Sequence, residues 1–384
     1  MKIGIVAGEP SGDFLAAELI REIRQFRPDI RVSGIGGPNL RAAGCDILFP
    51  MEKLAVMGLV EVLGKVRELR AMRTRLAEHL IRERPDVFIG VDSPDFNLGL
   101  ERTLRSAGIK TIHYVCPTVW AWRPWRVRKI RQAAQLVLCI FPFEEEFLLG
   151  RGVPARYVGH PLAGKVDIQP DTESARRRLD LPPDCLTVAI LPGSRHAELD
   201  RLTGPFLDAA AWLAAHHDGA RFITNAVNDG AEKHLRAAAE SRGLQLKIVK
   251  DSIADTLAAA SVALVASGTV TLEAMLYKTP MVVAYSMHSL SYWIVRALLK
   301  VKYVSLPNLL AGQRLVPEYF QSDCRAEILA PALQYWLEHP GEVQSLSRRF
   351  TDLHISLRSA ETSAAQAVLD LLDGSPDSWS TVNP

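Results

Sequence analysis

The chain has 384 residues, of which 48% are hydrophobic and 23% are charged, and its formal net charge is +2. This length predicts two globular domains, and the near-neutral charge gives no general attraction to nucleic acid. No segment reaches the roughly 18 apolar residues that a membrane-spanning helix needs, and Gly8-Glu9-Pro10 interrupts the first apolar run too early for a signal peptide.

The five cysteines are scattered and never form a C-x-x-C pair, which argues against a disulfide framework and against a zinc site. A reducing cytosol fits this pattern. No H-E-x-x-H motif occurs, and His113 and His160 are expected to be ordinary residues of the fold. The sequence therefore predicts no metal and no cofactor.

The chain opens with a strand at 2–6, the loop AGEPSGD and an amphipathic helix. The loop matches neither the dinucleotide fingerprint nor a Walker A loop. Further strands are predicted at 32–35, 87–91, 111–115, 136–141 and 156–158, and then at 187–191, 221–226, 246–249, 262–265 and 281–284. Helical patterns lie between most of them, and after Val304 only helices are expected. This alternation predicts an α/β fold with doubly wound parallel sheets.

A charged, turn-rich passage at 163–184 separates two Rossmann-like halves. The predicted domains are residues 1–165 and 166–344. Helices at about 345–373 are expected to follow and to be able to pack back on the first domain, and residues 374–384 are expected to form a flexible tail.

Ligands of parallel sheets bind beyond the carboxyl ends of the strands. The strand at 262–265 stops at Ser267-Gly268-Thr269 and leads into a helix that carries Glu273. Such a helix N-terminus can bind phosphate, and Glu273 can accept hydrogen bonds from ribose hydroxyls, which together suggest a nucleotide diphosphate. A helix capped by Ser267 or Thr269 explains the same pattern.

Another strand of this half ends at Pro192-Gly193-Ser194-Arg195, where the arginine could bind phosphate oxygens or lie on the surface after a turn. Asparagine side chains suit a sugar or a uracil edge, although turn formation also explains them. The candidates are Asn225, Asn228 and Asn308.

In the first half the strand at 87–91 ends at DSPDFN. Asp92 is the predicted general base, Asp95 the predicted helix cap, and Asn97 a further polar group of the site. Three residues after the first strand could hydrogen-bond a sugar or simply cap the loop: Glu9, Ser11 and Asp13.

Two segments suggest a lipid surface. The first is a basic amphipathic helix whose apolar stripe faces either a membrane or the core and includes Val62, Leu63, Val66 and Leu69. The second is Val119–Arg131, which combines five cations with three tryptophans, among them Trp120 and Trp122. Such a combination suits a membrane interface or an acidic, lipid-linked substrate, whereas nucleic-acid binding is the weaker interpretation.

Seven segments together resemble the lipid-A-disaccharide synthase family, which consists of bacterial GT-B glycosyltransferases with two Rossmann-like domains facing a cleft. The resemblance covers nearly the whole chain and is carried, in this order, by GEPSGD, AVMGLVEVLG, GVDSPDFN, IHYVCPTVWAWR, LPGSR, ASGTVTLEAM and YVSLPNLLAG. The segment ITNAVN departs from the family pattern, which leaves a base-contacting role for Asn225 open.

The resemblance implies metal-free, inverting transfer of 2,3-diacylglucosamine from UDP to the 6-hydroxyl of 2,3-diacylglucosamine 1-phosphate (lipid X), with a β-1,6 linkage. It implies that Asp92 is the base, that Arg195, Glu273 and Asn308 belong to the UDP site, and that Glu9 and Ser11 line the cleft. It also implies contact of the segment at 59–72 with acyl chains and with the cytoplasmic face of the inner membrane. A homodimer is a further assembly to consider.

Two alternatives remain at this point. A UDP-sugar 2-epimerase shares the GT-B architecture but needs neither an amphipathic helix nor a tryptophan-arginine cluster. A non-catalytic protein that binds sugar nucleotides or lipids is the other alternative, and full activity after replacement of Asp92 and Arg195 would favour chemistry elsewhere or none.

Overall fold

The structure is a computed structural model that describes residues 1–54, 59–122, 124–250, 252–288, 292, 296, 301–358 and 360–374, without the side chains at 59–66, 122 and 124. These residues form two compact units. One contains Met1–Pro161 and the segment that starts at Leu357, and the other contains Leu162–Ser356. The predicted boundaries lie at 165/166 and 344/345.

The first unit is built on a seven-stranded sheet in the order β3-β2-β1-β4-β5-β6-β7. All neighbouring strands are parallel. The strands are β1 (Lys2–Ala7), β2 (Arg31–Gly36), β3 (Cys45–Pro50), β4 (Val87–Val91), β5 (Lys110–Tyr114), β6 (Leu136–Cys139) and β7 (Ala155–Tyr157). Every residue of β4 is buried, as expected for a central strand covered on both faces.

Helices connect these strands. They are α1 (Pro10–Phe26), α2 (Pro38–Ala42), α3 (Leu59–Glu83), α4 (Pro94–Ser106), α5 (Val119–Trp122), α6 (Val127–Ala133) and α7 (Pro142–Leu149), with short 3₁₀ turns at Met51–Lys53 and Pro124–Arg126. The later part of α3 packs on the sheet, because Met72, Leu76 and Leu80 join Phe88 in one buried cluster.

The second unit has a six-stranded parallel sheet in the order β10-β9-β8-β11-β12-β13. Its strands are β8 (Thr187–Leu191), β9 (Arg221–Ala226), β10 (Leu246–Lys250), β11 (Val262–Ala266), β12 (Met281–Tyr285) and β13 (Glu318–Phe320). The helices from the junction onward are α8 (Pro161–Lys165), α9 (Thr172–Arg178), α10 (His196–His216), α11 (Asp229–Glu240), α12 (Ile253–Ala259), α13 (Thr269–Leu276), α14 (Leu306–Ala311), α15 (Ala326–Glu338) and α16 (Pro340–Arg358).

The last helix, α17 (Ala364–Asp373), belongs to the first unit. Lys110 Nζ donates to the carbonyl oxygens of Leu371 and Leu372 at 2.8 and 3.0 Å. These carbonyls lie in the last turn of α17 and have no partner inside the helix, so a cation there satisfies them.

The predicted doubly wound α/β fold is confirmed, with two corrections. The strand β13 lies beyond Val304, where only helices were expected, and β3 was not predicted at all. Both are edge strands and have partly exposed residues, so neither shows an uninterrupted apolar run. None of the described helices has the length and apolar character needed to cross a bilayer.

Candidate active site

Each sheet has one place where successive strands begin to be added on the opposite side. That place lies between β1 and β4 in the first unit and between β8 and β11 in the second. Ala7 pairs with Val91, and Leu191 pairs with Val265, so the segments that follow these strands start side by side. Doubly wound sheets bind their ligands in the crevice at this switch point. The predicted site residues follow these four strands: Glu9, Ser11, Asp92, Gly193–Arg195 and Ser267–Thr269.

The turn after β4 holds Asp92 in a strained conformation. Asp92 and Ser93 both have left-handed backbones, with φ of 51° and 45°. A residue without glycine's freedom costs about 1–3 kcal/mol there, and such strain concentrates at functional sites. Two hydrogen bonds hold the turn: Asp92 N donates to Tyr114 O at 2.9 Å, and Asn97 Nδ2 donates to Asp92 O at 2.8 Å.

The loop after β1 lies against this turn. A Cβ at Gly8 would lie 2.6 Å from Ser93 Oγ, so this close approach requires glycine. Glu9 is partly exposed and Ser11 is exposed. Asp13 is fully buried, and its carboxylate accepts hydrogen bonds from Gly37 N, Asn39 N and Leu40 N at 2.7, 2.9 and 3.2 Å. Asp13 therefore caps α2, which is the structural alternative that the sequence left open.

The other two polar residues of DSPDFN differ from each other. The prediction that Asp95 caps the helix is wrong, because Ser93 occupies the N-cap position and the Asp95 carboxylate instead forms an ion pair with Arg126. The Asp95 side chain is 83% exposed. Asn97 is fully buried and also approaches Val91 O at 3.3 Å, so its amide holds the backbone at the end of β4.

In the second unit, β8 is followed by a glycine turn that leads into α10. Gly193 has φ of 118°, and a Cβ there would lie 2.4 Å from Glu198 Oε2. That oxygen accepts hydrogen bonds from Ser194 N and Arg195 N at 3.2 and 3.3 Å. The Arg195 guanidinium lies 3.2 Å from Glu198 Oε1 and is 55% exposed, which leaves it accessible to an anion.

The N-terminus of α13 carries no side-chain cap. Gly268 occupies the N-cap position without a side-chain hydrogen bond, so the capping role considered for Ser267 or Thr269 is not the one observed. Gly268 and Thr269 are exposed, and Ser267 is partly exposed. Burial raises the pKa of Glu273, one turn further along, to about 7. An uncapped helix start beside a desolvated carboxyl can accept a phosphate at one point and hydroxyl donors at the other.

Asn308 is fully buried at the start of α14, and its side chain is fully occupied. Its amide donates to Val316 O and Glu318 Oε1, each at 2.9 Å. Its carbonyl oxygen accepts from Leu315 N and Val316 N at 2.7 and 3.0 Å. These four bonds exhaust the amide's capacity, so Asn308 positions the loop rather than presenting a free group.

The two other asparagines also have protein partners. Asn228 is the N-cap of α11 and accepts from Ala231 N at 2.9 Å. Asn225 Nδ2 donates to Val249 O at 3.3 Å, whereas its Oδ1 is buried and has no partner among the described residues.

The aromatic and basic segment places its tryptophans differently. Trp120 is partly buried, donates to Glu144 Oε1 at 3.3 Å and packs edge-on against Phe143 with ring centroids 4.9 Å apart. Trp125 is 60% exposed. The side chain of Trp122 lies outside the described residues, as do those of Val62, Leu63 and Val66. Leu69 is described, and it packs partly buried against the core cluster of α3.

Two groups of buried side chains were missed as sites. Glu101 and His113 form a fully buried pair with an oxygen–nitrogen distance of 2.7 Å. His113 is the ordinary residue of the fold that the sequence predicts, but its partner is twelve residues away and belongs to another element, so no spacing reveals the pair. A glutamate on the inward face of α4 is the signal that could have found the pair.

The second group contains Cys116, Cys139 and Glu144, whose ligand atoms lie within 4.8 Å of one another. Burial raises the pKa of Glu144 to about 8 and that of Cys139 well above its usual value. Glu144 also accepts a hydrogen bond from Phe141 N at 3.2 Å. Thiols and a carboxylate are zinc ligands in other proteins, but here the capping of α7 accounts for Glu144, and the absence of a metal stays a prediction.

Comparisons with known proteins bear on both units. The family model described as Lipid-A-disaccharide synthetase matches residues 3–369. The lipid-A-disaccharide synthase of Pseudomonas fluorescens Pf-5 is 48% identical over 97% of this chain and 99% of its own length. That of Pseudomonas aeruginosa UCBPP-PA14 is 46% identical over 97% of this chain and 98% of its own length.

Solved structures show the same fold at low sequence identity. UDP-GlcNAc 2-epimerase from Neisseria meningitidis, solved with UDP-GlcNAc, has a TM-score of 0.61 at 11% identity and covers 98% of this chain and 99% of its own. The glycotransferase of kitacinnamycin has a TM-score of 0.62 at 15% identity and covers 97% of this chain and 98% of its own. These neighbours establish a GT-B-type architecture, and the family match decides between the enzymes that share it. The chain belongs to the lipid-A-disaccharide synthase family of glycosyltransferases.

Proposed function

We propose that this enzyme transfers 2,3-diacylglucosamine from its UDP conjugate to the 6-hydroxyl of 2,3-diacylglucosamine 1-phosphate. The acceptor oxygen forms a bond to the anomeric carbon, the bond from that carbon to the diphosphate breaks, and UDP leaves with the electron pair. The product is a β-1,6-linked disaccharide 1-phosphate with an inverted anomeric centre. One observation carries this proposal: in a member of this family, the motif residues follow the strands at both switch points.

Asp92 is the proposed general base that takes the proton of the acceptor hydroxyl. Its partly exposed position in a strained, hydrogen-bonded turn supports this role, because a base has to be held in one orientation and still reach the substrate. Glu9, Ser11 and Asp95 are proposed to contact the acceptor sugar from the neighbouring loops. Asn97 acts through the backbone of Asp92.

The second unit is proposed to hold UDP and to stabilise it as it leaves. Arg195, with Gly193 and Ser194, contacts the diphosphate together with the uncapped amides that follow Ser267, Gly268 and Thr269. Negative charge that develops on the leaving diphosphate is stabilised by a guanidinium and by helix N-terminal amides. Glu273 accepts hydrogen bonds from the ribose hydroxyls. Asn308 supports this site by holding the start of α14.

We further propose peripheral binding to the cytoplasmic face of the inner membrane, where both lipid substrates reside. The exposed Trp125 next to Arg126, Arg128 and Lys129 supports this, because indole rings and cations suit an anionic lipid interface. Val62, Leu63, Val66, Trp120 and Trp122 remain predicted lipid contacts. Polar replacement of Trp125 is expected to weaken binding to anionic vesicles several-fold without unfolding, whereas Leu69→Ser is expected to destabilise the fold because Leu69 packs on the core.

The reaction is tested by incubating the enzyme with UDP-2,3-diacylglucosamine, first alone and then with 2,3-diacylglucosamine 1-phosphate. Mass spectrometry and UDP release are followed together. The proposal expects a disaccharide product and stoichiometric UDP only when the acceptor is present. UDP release that does not depend on the acceptor, or a changed donor sugar without acceptor, contradicts it.

A further inference from the structure

Behind the Asp92 turn lies the buried pair of Glu101 on α4 and His113 on β5. Both side chains are fully buried, and Glu101 Oε1 lies 2.7 Å from His113 Nδ1. His113 pairs in register with Gly90, and Tyr114 pairs with Val91. The pair therefore adjoins the last residues of β4, two positions before Asp92, and Tyr114 supplies the carbonyl that Asp92 N binds.

Gly90 makes this arrangement possible. A Cβ at Gly90 would lie 2.2 Å from Glu101 Oε1 and 2.9 Å from Asn97 Cβ, so both side chains pack directly on the strand. Asn97 in turn donates to Asp92 O. One glycine on β4 thus lets two polar side chains of α4 reach the underside of the strained turn.

This cluster contains buried polar atoms that the described residues do not hydrogen-bond. Asn97 Oδ1, Glu101 Oε2 and His113 Nε2 are buried and have no hydrogen-bond partner among the residues that the structure describes. Each such atom destabilises the fold compared with a hydrogen-bonded one. A requirement for stability alone would favour an apolar cluster of the same shape, because such a replacement is often neutral or stabilising.

The charges around His113 come from two elements, Glu101 on α4 and Asp92 after β4. Burial lowers the pKa of His113, but the charge and hydrogen bond of Glu101, together with the charge of Asp92, outweigh it and leave the pKa raised. Burial raises the pKa of Glu101 despite the opposing charge of His113. Of the two side chains, the imidazole is the one whose pKa the charge of Asp92 affects.

We propose that Glu101 and His113 are positioning residues for Asp92, which hold its strained turn from beneath by packing against Gly90 at the end of β4. The inference rests on the proposed role of Asp92 as general base. Neither residue touches substrate in this proposal. Both act through the orientation of Asp92.

The test compares Glu101→Gln, His113→Asn and the double variant with Thr111→Val. Thr111 is buried on the same strand, and its hydroxyl donates to Ala133 O at 2.8 Å, so this control removes one buried hydrogen bond away from Asp92. Both single variants are expected to lose about 10- to 100-fold in kcat, with KM for either lipid substrate changed less than about threefold. The double variant is expected to lose no more than the worse single variant, because the two residues act as one unit.

The kcat of the folded fraction separates positioning from simple destabilisation. Urea unfolding gives the folded fraction of each variant, and both single variants are expected to lose kcat per folded enzyme while KM changes little. Thr111→Val is expected to keep its kcat per folded enzyme. A loss in kcat no larger than that of Thr111→Val, or one that the unfolded fraction alone explains, overturns the inference. Full activity of Asp92→Asn in the same assay would instead overturn the proposed base, so the two failures are distinguishable.

Discussion

The two switch points of this chain are built by opposite means. In the first unit the strand ends contain non-glycine residues with left-handed backbones, namely Asp92, Ser93 and, after β5, Val115 with φ of 77°. A β-branched residue in that region is a genuine outlier. Buried polar side chains of α4 support these turns from below. Strain and support together fix the backbone that carries the Asp92 carboxylate.

In the second unit the left-handed position after β8 is taken by Gly193, and the non-glycine residues with positive φ that the structure describes there, Asp180, Lys278 and Gln321, lie away from β8 and β11. Arg195, Gly268 and Thr269 are exposed. Within the described residues, the switch point of the second unit therefore lacks the backbone strain that the first unit has. The difference supports the proposal that one switch point orients a reacting group, whereas the other admits and releases an anion.

The strongest test of the proposed division of tasks between the two switch points is Asp92→Asn. Loss of a general base is expected to lower kcat by about 10²–10⁴-fold, while UDP affinity measured by calorimetry stays within about twofold. Asp95→Asn is the matched comparison, because it neutralises an exposed carboxylate three residues away, at the start of α4, and is expected to lose far less. Weaker UDP binding by Asp92→Asn would show that the two switch points do not divide the tasks.

Arg195→Ala tests the other side of the comparison. A guanidinium that contacts phosphate contributes about 1.5–3 kcal/mol, so UDP affinity is expected to fall roughly 10- to 100-fold. Arg201→Ala is the control, because Arg201 is an exposed arginine on α10, the helix that starts directly after Arg195, and its guanidinium donates to Ala197 O at 3.2 Å. Equal losses in both variants would mean that only the general positive charge of α10 matters.

We predict that Glu273 makes UDP binding depend on pH. Burial raises its pKa to about 7, so the carboxyl is mostly protonated at pH 6 and ionised at pH 8. Ribose hydroxyls donate to the ionised form, and UDP affinity is therefore expected to rise up to about tenfold between these pH values. In Glu273→Gln, the only remaining pH dependence of UDP affinity is expected to come from titration of the UDP phosphate itself. If this variant keeps the full pH dependence, Glu273 does not contact the ribose.

Much of this architecture could be predicted from the sequence, because central parallel strands are continuous apolar runs and the site residues directly follow them. The predicted strand at 187–191 and the observed β8 coincide. The edge strands β3 and β13 could not be found in this way, since pairing with a neighbour defines them. The family motifs identified the enzyme, but they could not reveal how individual side chains are used.

Asp13 and Asn308 illustrate that limit. Both lie in motif segments, and both are fully buried with their polar atoms bonded to backbone groups. Sequence patterns record which residue type stands near a strand end, but the direction of its side chain depends on contacts from elements far away in the chain. The same reason explains why the Glu101–His113 pair was missed.

The smallest expected effect is on the free energy of unfolding. Acidification changes this free energy in opposite directions through one buried group in each unit. Burial lowers the pKa of His160 in the first unit to about 4 from 6.5. A histidine kept neutral by the fold contributes stability above the unfolded value of 6.5, and this contribution is lost as the pH falls towards 4. Glu273, whose pKa is raised from 4.5 to about 7, contributes stability at low pH that is lost as the pH rises through 7.

Acidification from pH 7 to pH 5.5 is therefore expected to cost the first unit about 1 kcal/mol through His160, while Glu273 partly offsets acid destabilisation of the second unit. Urea unfolding at both pH values, compared between the wild type, His160→Phe and Glu273→Gln, measures each contribution as a difference. His160→Phe keeps a ring beside Phe141, which lies 5.8 Å from the imidazole, and it should reduce the loss on acidification. Glu273→Gln should increase it. Changes of the same sign in both variants would mean that these two buried groups do not set the separate acid responses of the units.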